Sequence, residues 1–243
     1  MGEAYIVAAA RTAGGRRGGK LAGWHPVDLA AQVIDALLDR AQCDPALVED
    51  VIMGCVSQVG EQSTNVARNA VLASRLPESV PGTSLDRQCG SSQQALHFAA
   101  QAVLSGTQDV VIAAGVESMT RVPMFTPSAL PQKNGMGFYM SPEIRHRYGE
   151  QDFSQFIGAE MIAKKYGLEK EVLDRYALLS HQRAARAADE GRFAQEIMPV
   201  RVRDASGAES GELHTRDEGS RGDASLEASA AVKLRAEGGR ITA

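Results

Sequence analysis

The residues best suited to chemistry lie in one stretch, Ser84-Leu85-Asp86-Arg87-Gln88-Cys89-Gly90-Ser91-Ser92-Gln93-Gln94-Ala95-Leu96. A short strand pattern leads into Cys89 and a helical pattern leaves it. At a helix N-terminus the unpaired N–H groups and the positive dipole end favour thiolate over thiol. Gly90 removes side-chain bulk beside the sulfur, so a carbonyl could approach, and Ser91 and Ser92 suit a first helical turn. A thiolate that attacks a thioester makes an enzyme thioester of similar energy, so Cys89 is a candidate acyl carrier. The competing reading is a buried structural cysteine, the usual fate of a free thiol, and local chemistry leaves both open. Cys43, in the polar Gln42-Cys43-Asp44-Pro45 turn, and Cys55, in an apolar segment, read as structural. Among His25, His97, His146, His181 and His214, His97 is nearest in sequence, but two helical turns beyond Cys89 it points away from the sulfur. The other four read as residues of turns or solvated helix faces.

The elements that must hold this stretch follow from hydrophobic periodicity. Ala4–Ala10 is a run of small apolar residues suited to a buried strand, followed by a loop rich in Gly and basic residues, 14–20. Pro26 starts a helix carrying Leu29, Val33, Leu37 and Ala41 at helical spacing, with Asp28 near its positive end. Val51–Val56 predicts a strand, 65–74 a helix closed by Pro77 and Pro81, and Thr83–Leu85 a short strand ending just before Cys89. Residues 90–104 form a helix apolar on most sides, a pattern that places it between layers. Val110–Gly115 is the clearest strand. Strands alternating with helices imply a largely parallel α/β sheet. Residues 121–149 mix Pro, Gly, Met and aromatics without periodicity and read as a long excursion. Residues 160–166 and 169–191 are helical, with Gly167 and Gly191 as stops, and beyond Pro199 the chain turns polar and Gly-rich. A boundary falls near residue 120.

Composition narrows the function classes. The 243 residues are 44% hydrophobic and 23% charged, with a formal net charge of -4. An acidic chain has no general attraction for nucleic acid or anionic membrane, so any anion must be held locally. Three cysteines too far apart for a metal pair, and odd in number, argue against a disulfide framework and for reduced thiols. The N-terminus lacks the pattern of a secretory signal or a myristoylation site, and no apolar run is long enough to span a bilayer. A soluble, cytoplasmic protein is the expectation.

The Cys89 segment resembles the active-site signature of thiolases, acyltransferases that cleave or form 3-ketoacyl-CoA. Further blocks are similar in the same order: Asn65-Val66-Ala67-Arg68, Gly115-Val116-Glu117-Ser118-Met119, Gly191-Arg192-Phe193 with Glu196-Ile197 and Pro199, Asp217-Glu218-Gly219 with Arg221, and Ile241-Thr242-Ala243. Each is weak singly, but six in order over nearly the whole chain identify it as thiolase-like.

The resemblance implies an α/β, thiolase-like fold, with a first half of βαβαβαββ type over 1–119 and an inserted loop domain over 120–243 covering the coenzyme A site. The second half would be absent, so the chain is expected to be a fragment of a longer polypeptide, catalytically incomplete and exposing an apolar face. The family's base comes from a Gly-His-Pro motif and its proton-shuttling cysteine from a Cys-x-Gly motif; neither occurs here. No permanently bound cofactor is implied, coenzyme A or acyl-CoA being substrate. Arg221 matches a family arginine near its nucleotide part, and Phe156 and Ile157 align beside the acyl-pantetheine tunnel. Many biosynthetic members have His-Met at those two positions, so Phe156-Ile157 leaves room for a bulkier or degradative substrate. Met124, Phe125, Met136, Phe138, Tyr139 and Met140 could line an acyl pocket or simply pack the loop domain. Expected partners are the C-terminal thiolase half and further copies, in a homodimer or homotetramer. The alternatives are another condensing enzyme of this fold and a non-catalytic acyl-CoA-binding scaffold.

Overall fold

Three parallel strands, ordered β3-β2-β4, organise the chain in a computed structural model that describes residues 2–242. They are β2 (Asp50–Gly54), β3 (Gly82–Leu85) and β4 (Val111–Gly115), after a two-residue β1 (Arg11–Thr12). Between them run α1 (Pro26–Ala41), α2 (Val66–Ala73) and α3 (Ser91–Ser105). Strands joined through helices pair in parallel, as expected of an α/β layer. Successive β2 side chains point to opposite faces. Val51 and Met53 join Ile34, Leu38, Val66, Ala70 and Val71 in the main core, whereas Ile52 packs with Ala95 and Ala99 of α3. The sheet is therefore covered by α1 and α2 on one side and α3 on the other.

Local signals account for the helix bounds. Pro26 occupies the first turn of α1, and the His25 side chain accepts the Val27 N–H. Gly106, in the left-handed region, ends α3 and returns its N–H to Val103 O.

The remaining elements are α4 (Thr126–Lys133), α5 (Pro142–Tyr148), α6 (Gln155–Lys165), α7 (Lys170–Asp189), β5 (Ile197–Met198), β6 (Val200–Arg203), β7 (Glu209–His214) and α8 (Leu226–Ala230). Compact unit one comprises Met1–Gly137 and Gln195–Asp217, and unit two Phe138–Ala194 and Glu218–Ala243. All of 1–119 thus lies in unit one, while 120–243 is shared between the units. In unit two, Lys170 Nζ bridges the buried Asp174 (2.5 Å) and Ser229 O (2.9 Å), tying α7 to α8.

Four expectations need correction. Residues 4–10 are not a buried strand: Tyr5, Ile6 and Val7 are exposed, and only Arg11–Thr12 pairs, in parallel with Ile197–Met198. An apolar run becomes a strand only where a neighbour completes its ladder, and among the described residues none does for 4–10. Helix α3 is covered on one side alone; Ala95 and Ala99 are buried, but Leu96, Phe98 and Leu104 are exposed. The excursion 121–149 holds two short helices, α5 being started by Ser141 Oγ accepting the Ile144 N–H. The polar stretch beyond Pro199 includes an antiparallel β6–β7 hairpin whose Asp204 carboxylate accepts the Ser206 and Ala208 N–H groups before the left-handed Gly207.

An ionic cluster fixes unit one where β1 meets its later segment. Arg11 pairs with Glu196 (2.9 Å) and Asp217 (2.7 Å), and Asp217 also accepts the Gly14 N–H. The Arg11 guanidinium, followed by the Gly14 N–H, holds the Asp217 carboxyl below the usual carboxylate range. A carboxyl with a lowered folded pKa adds stability above its unfolded value of roughly 4, lost as pH falls through the folded value. Asp217→Asn should therefore lower the urea-unfolding free energy at neutral pH by about 1–2 kcal/mol. Its curve should converge with that of the parent as pH drops below ~4; a gap independent of pH would contradict this account.

Candidate active site

Strand β3 delivers the chain into a turn, 86–90, and α3 leaves it. The Asp86 carboxylate accepts the Gln88 N–H (2.6 Å) and its Nε2 (3.2 Å). Ser91 Oγ donates to Gln88 O (2.6 Å) and accepts the Arg87 N–H (3.0 Å). Gln88 itself has φ 48, left-handed for a residue with a Cβ, which costs on the order of 1 kcal/mol and persists because these bonds hold it. Cys89 follows at the tip, exposed, ahead of Gly90 and the first residue of α3. The sulfur is not sequestered among hydrocarbon side chains.

Two glycines set where that helix starts. Gly54 and Gly115 end β2 and β4 and stand opposite each other in register, with Gly54 also opposite Leu85 of β3. A Cβ on Gly54 would lie 2.3 Å from Ser92 N, and one on Gly115 would lie 2.6 Å from Ser92 Cβ. The first turn of α3 therefore rests on backbone at the carboxyl ends of the parallel strands, the edge where α/β sheets hold their ligands.

The blocks around Cys89 fasten the same edge. Asn65, left-handed at φ 58, caps the Arg68 N–H (3.1 Å), accepts from Ser84 Oγ (3.0 Å) and donates to Gly82 O (2.7 Å). It thereby joins α2 to β3, the strand that feeds Cys89. The Glu117 carboxylate accepts Val56 N (2.8 Å) and Gln62 Nε2 (2.7 Å), while the fully buried Gln62 accepts the Ser118 N–H at Oε1 (2.7 Å). This carboxylate–amide pair ties the loop after β2 to the loop after β4. Glu117 falls within the Gly-x-Glu-Ser-Met block, but Gln62 gave no signal, because a polar residue in a loop looks solvated until its partners are placed.

Cys55, one residue beyond Gly54, is buried, with Sγ 4.0 Å from Glu117 Oε2. Burial, then the Glu117 and Asp86 carboxylates, push its thiol up to about 12, so it stays protonated and inert. Cys43 is half-buried, its Sγ 3.5 Å from Asp44 O. No histidine hydrogen bonds to Cys89 among the described residues; His97 is exposed on α3. His214 departs from expectation: it lies buried on β7, with Nε2 3.1 Å from Ala13 O. An inward position on a strand reads as polar in sequence, but the backbone carbonyl satisfies the ring there.

Cys89 belongs to unit one and the expected coenzyme A residues to unit two. Arg221 is exposed, and its N–H donates to His181 Nδ1 (3.3 Å). Phe156 is half-buried on α6, Ile157 beside it is exposed, and the Arg235 guanidinium lies 3.6 Å from the Phe156 ring centroid. Met124, Phe125 and Met136 are exposed, whereas Met140 is buried. Among the described residues no His, Cys, Asp and Glu cluster could hold a metal ion, and no helix is long and apolar enough to cross a membrane.

Comparison with known sequences follows the same lines. The family model of the thiolase N-terminal domain matches residues 4–243. The chain is 49% identical to the steroid 3-ketoacyl-CoA thiolase FadA6 of Mycobacterium tuberculosis, an alignment covering 100% of this chain and 58% of that protein. It is 41% identical to a 3-ketoacyl-CoA thiolase of Erwinia tasmaniensis (85% and 51% covered) and 40% to a beta-ketoadipyl-CoA thiolase of Acinetobacter baylyi (83% and 52%). The chain thus spans a little over half the length of these curated relatives.

Two measurements check this site. Limited alkylation with iodoacetamide should label Cys89 first and leave Cys55 unlabelled until denaturant is added; equal rates in the folded protein would refute the contrast. Gly54→Ala should destabilise by about 1–3 kcal/mol or more, because backbone must move. Gly158→Ala, whose Cβ meets nothing within 4 Å, should be neutral or mildly stabilising in the same urea titration.

Proposed function

Because this chain belongs to the thiolase family, whose N-terminal domain its residues 4–243 match, we propose that it is an acyl-CoA C-acyltransferase that carries an acyl group on Cys89 while a 3-ketoacyl-CoA is cleaved or formed. The observation that carries this reading is an exposed thiol in the turn between β3 and α3, at the carboxyl edge of a parallel sheet. Cys55 does not compete, being buried and protonated, and Cys43 is half-buried in the turn after α1.

In the cleavage direction the Cys89 thiolate attacks the 3-keto carbonyl. The bond between C2 and C3 breaks, its electron pair stays on C2 of the departing acetyl-CoA, and that carbon takes a proton. The acyl group remains on Cys89 as a thioester, and a coenzyme A thiolate displaces it, returning the cysteine to thiolate. Within this chain the bonded turn 86–91 positions the sulfur, and Gly90 leaves its flank open. The base that activates Cys89 and the acid that protonates C2 are assigned to a second thiolase half. That assignment is supported by the lack of a histidine hydrogen bond to Cys89 among the described residues and by the longer relatives.

For the substrate, Phe156 and Ile157 are assigned to the wall of the acyl-pantetheine passage and Arg221 to the nucleotide part of coenzyme A. An acyl group bulkier than acetoacetyl is favoured by Phe156-Ile157 and by the name of the mycobacterial relative. The test is direct. Incubation with acetyl-CoA should add one acetyl group to the peptide containing Cys89, and Cys89→Ser should abolish it. Labelling that survives this substitution would sink the assignment of the nucleophile.

A further inference from the structure

Arg235 of unit two is seated on an aromatic ring and has no acidic partner among the described residues. Residues 234–242 form a turn closed by an antiparallel bridge between Leu234 and Thr242, with Arg235 N donating to Ile241 O (3.1 Å). Glu160 of α6 fastens this turn, its carboxylate accepting Arg240 N (2.9 Å) and Ile241 N (3.1 Å). Those two N–H groups hold the Glu160 carboxyl below the usual carboxylate range, Arg240 first, so the fastening persists at neutral pH. Arg240 adds a bond from Nη1 to Ala163 O (3.1 Å) and an ion pair with Glu169 (3.0 Å). Phe156 and Glu160 are four residues apart on α6 and share a helix face. The anchored turn therefore lies along that face and lowers the Arg235 guanidinium onto the Phe156 ring, 3.6 Å from its centroid.

A guanidinium stacked by its flat face keeps its N–H groups in the plane of the group, free to meet an anion side-on. Unit one supplies the comparison. Arg203 stacks over Trp24 at 3.5 Å in the same way, and there Glu209 (3.3 Å) and Asp28 (4.0 Å) provide carboxylates. Lys164, Lys170, Arg175 and Arg240 of unit two have acidic partners, whereas Arg147 and Lys165, which lie farther from their rings (5.2 and 5.5 Å), have none among the described residues. Arg235 is exposed and has no such partner among the described residues.

We infer that Arg235, seated on Phe156, is an anion-holding residue for the acyl-CoA substrate, binding phosphate or carboxylate oxygens side-on. The inference rests on the reading of Phe156 as part of the coenzyme A passage. Two sources carry the required chemistry: the phosphates of coenzyme A itself, or a terminal carboxylate on the acyl group. Uncharged pantetheine separates them, so one cation need not serve both.

Calorimetric titration of the full-length protein with coenzyme A, valeryl-CoA and glutaryl-CoA distinguishes these. Arg235→Ala and Arg235→Gln should each weaken binding about tenfold, the loss expected for one charge-assisted contact. Loss confined to glutaryl-CoA assigns the acyl carboxylate, and equal loss for all three ligands assigns the phosphates; either supports the inference. Arg235→Lys, which keeps the charge but not the planar fork, should fall between. Changes below twofold for all three ligands, with parent affinity intact, overturn the role of Arg235 and leave the thiolase reading standing. A parent protein that binds none of them while remaining folded overturns both.

Discussion

The structure around Cys89 depends on backbone meeting backbone where a side chain would prevent it. Ser91 and Ser92 rest on Gly54 and Gly115, and the distances leave no space for a methyl group at either glycine. From that contact follow the position of α3 on the sheet, the burial of Ala95 and Ala99 beneath it, and the short turn that must join Leu85 to Ser91. A turn so constrained pushes Gln88 into the left-handed region, and the strain is held by Asp86 and Ser91. Placement of the Cys89 sulfur is thus a matter of packing before it is a matter of electrostatics.

A second layer stabilises this edge. Asn65 binds α2 to β3, and Glu117 with Gln62 binds the loop after β2 to the loop after β4. Each places polar side chains where three backbone segments converge and would otherwise leave N–H groups unpaired. Burial keeps Cys55 inert, and the same arrangement adds to it, because the carboxylate that orders the loop also disfavours a second negative charge beside it. Two thiols a few residues from the same sheet edge are therefore chemically distinct, one exposed and one silenced.

Much of this was legible in the sequence because it is local. Pro26 at the start of α1, the alternation in Val51–Met53, and the strand–cysteine–glycine–helix order around Cys89 are written in adjacent residues. What escaped depends on distant partners. The run Ala4–Ala10 has strand composition but meets no strand among the described residues, since pairing is decided by a neighbour and not by the run itself. His214 has the composition of a solvated residue, yet Ala13 O receives it inside, two hundred positions away in sequence. The hairpin Val200–His214 was hidden by polar residues on strands that are mostly exposed, where alternation carries little hydrophobic contrast. Its turn, Asp204-Ala205-Ser206-Gly207, was the one readable sign, an Asp whose side chain caps the turn and a Gly that takes its left-handed position.

The uncovered side of α3, with Leu96, Phe98 and Leu104, and the exposed Tyr5-Ile6-Val7 have a consequence inside a cell. To holdase chaperones such surfaces look like an unfinished fold, and binding there competes with whatever normally covers them. The sooner those side chains leave water, the smaller the share of the polypeptide that such binding can hold back.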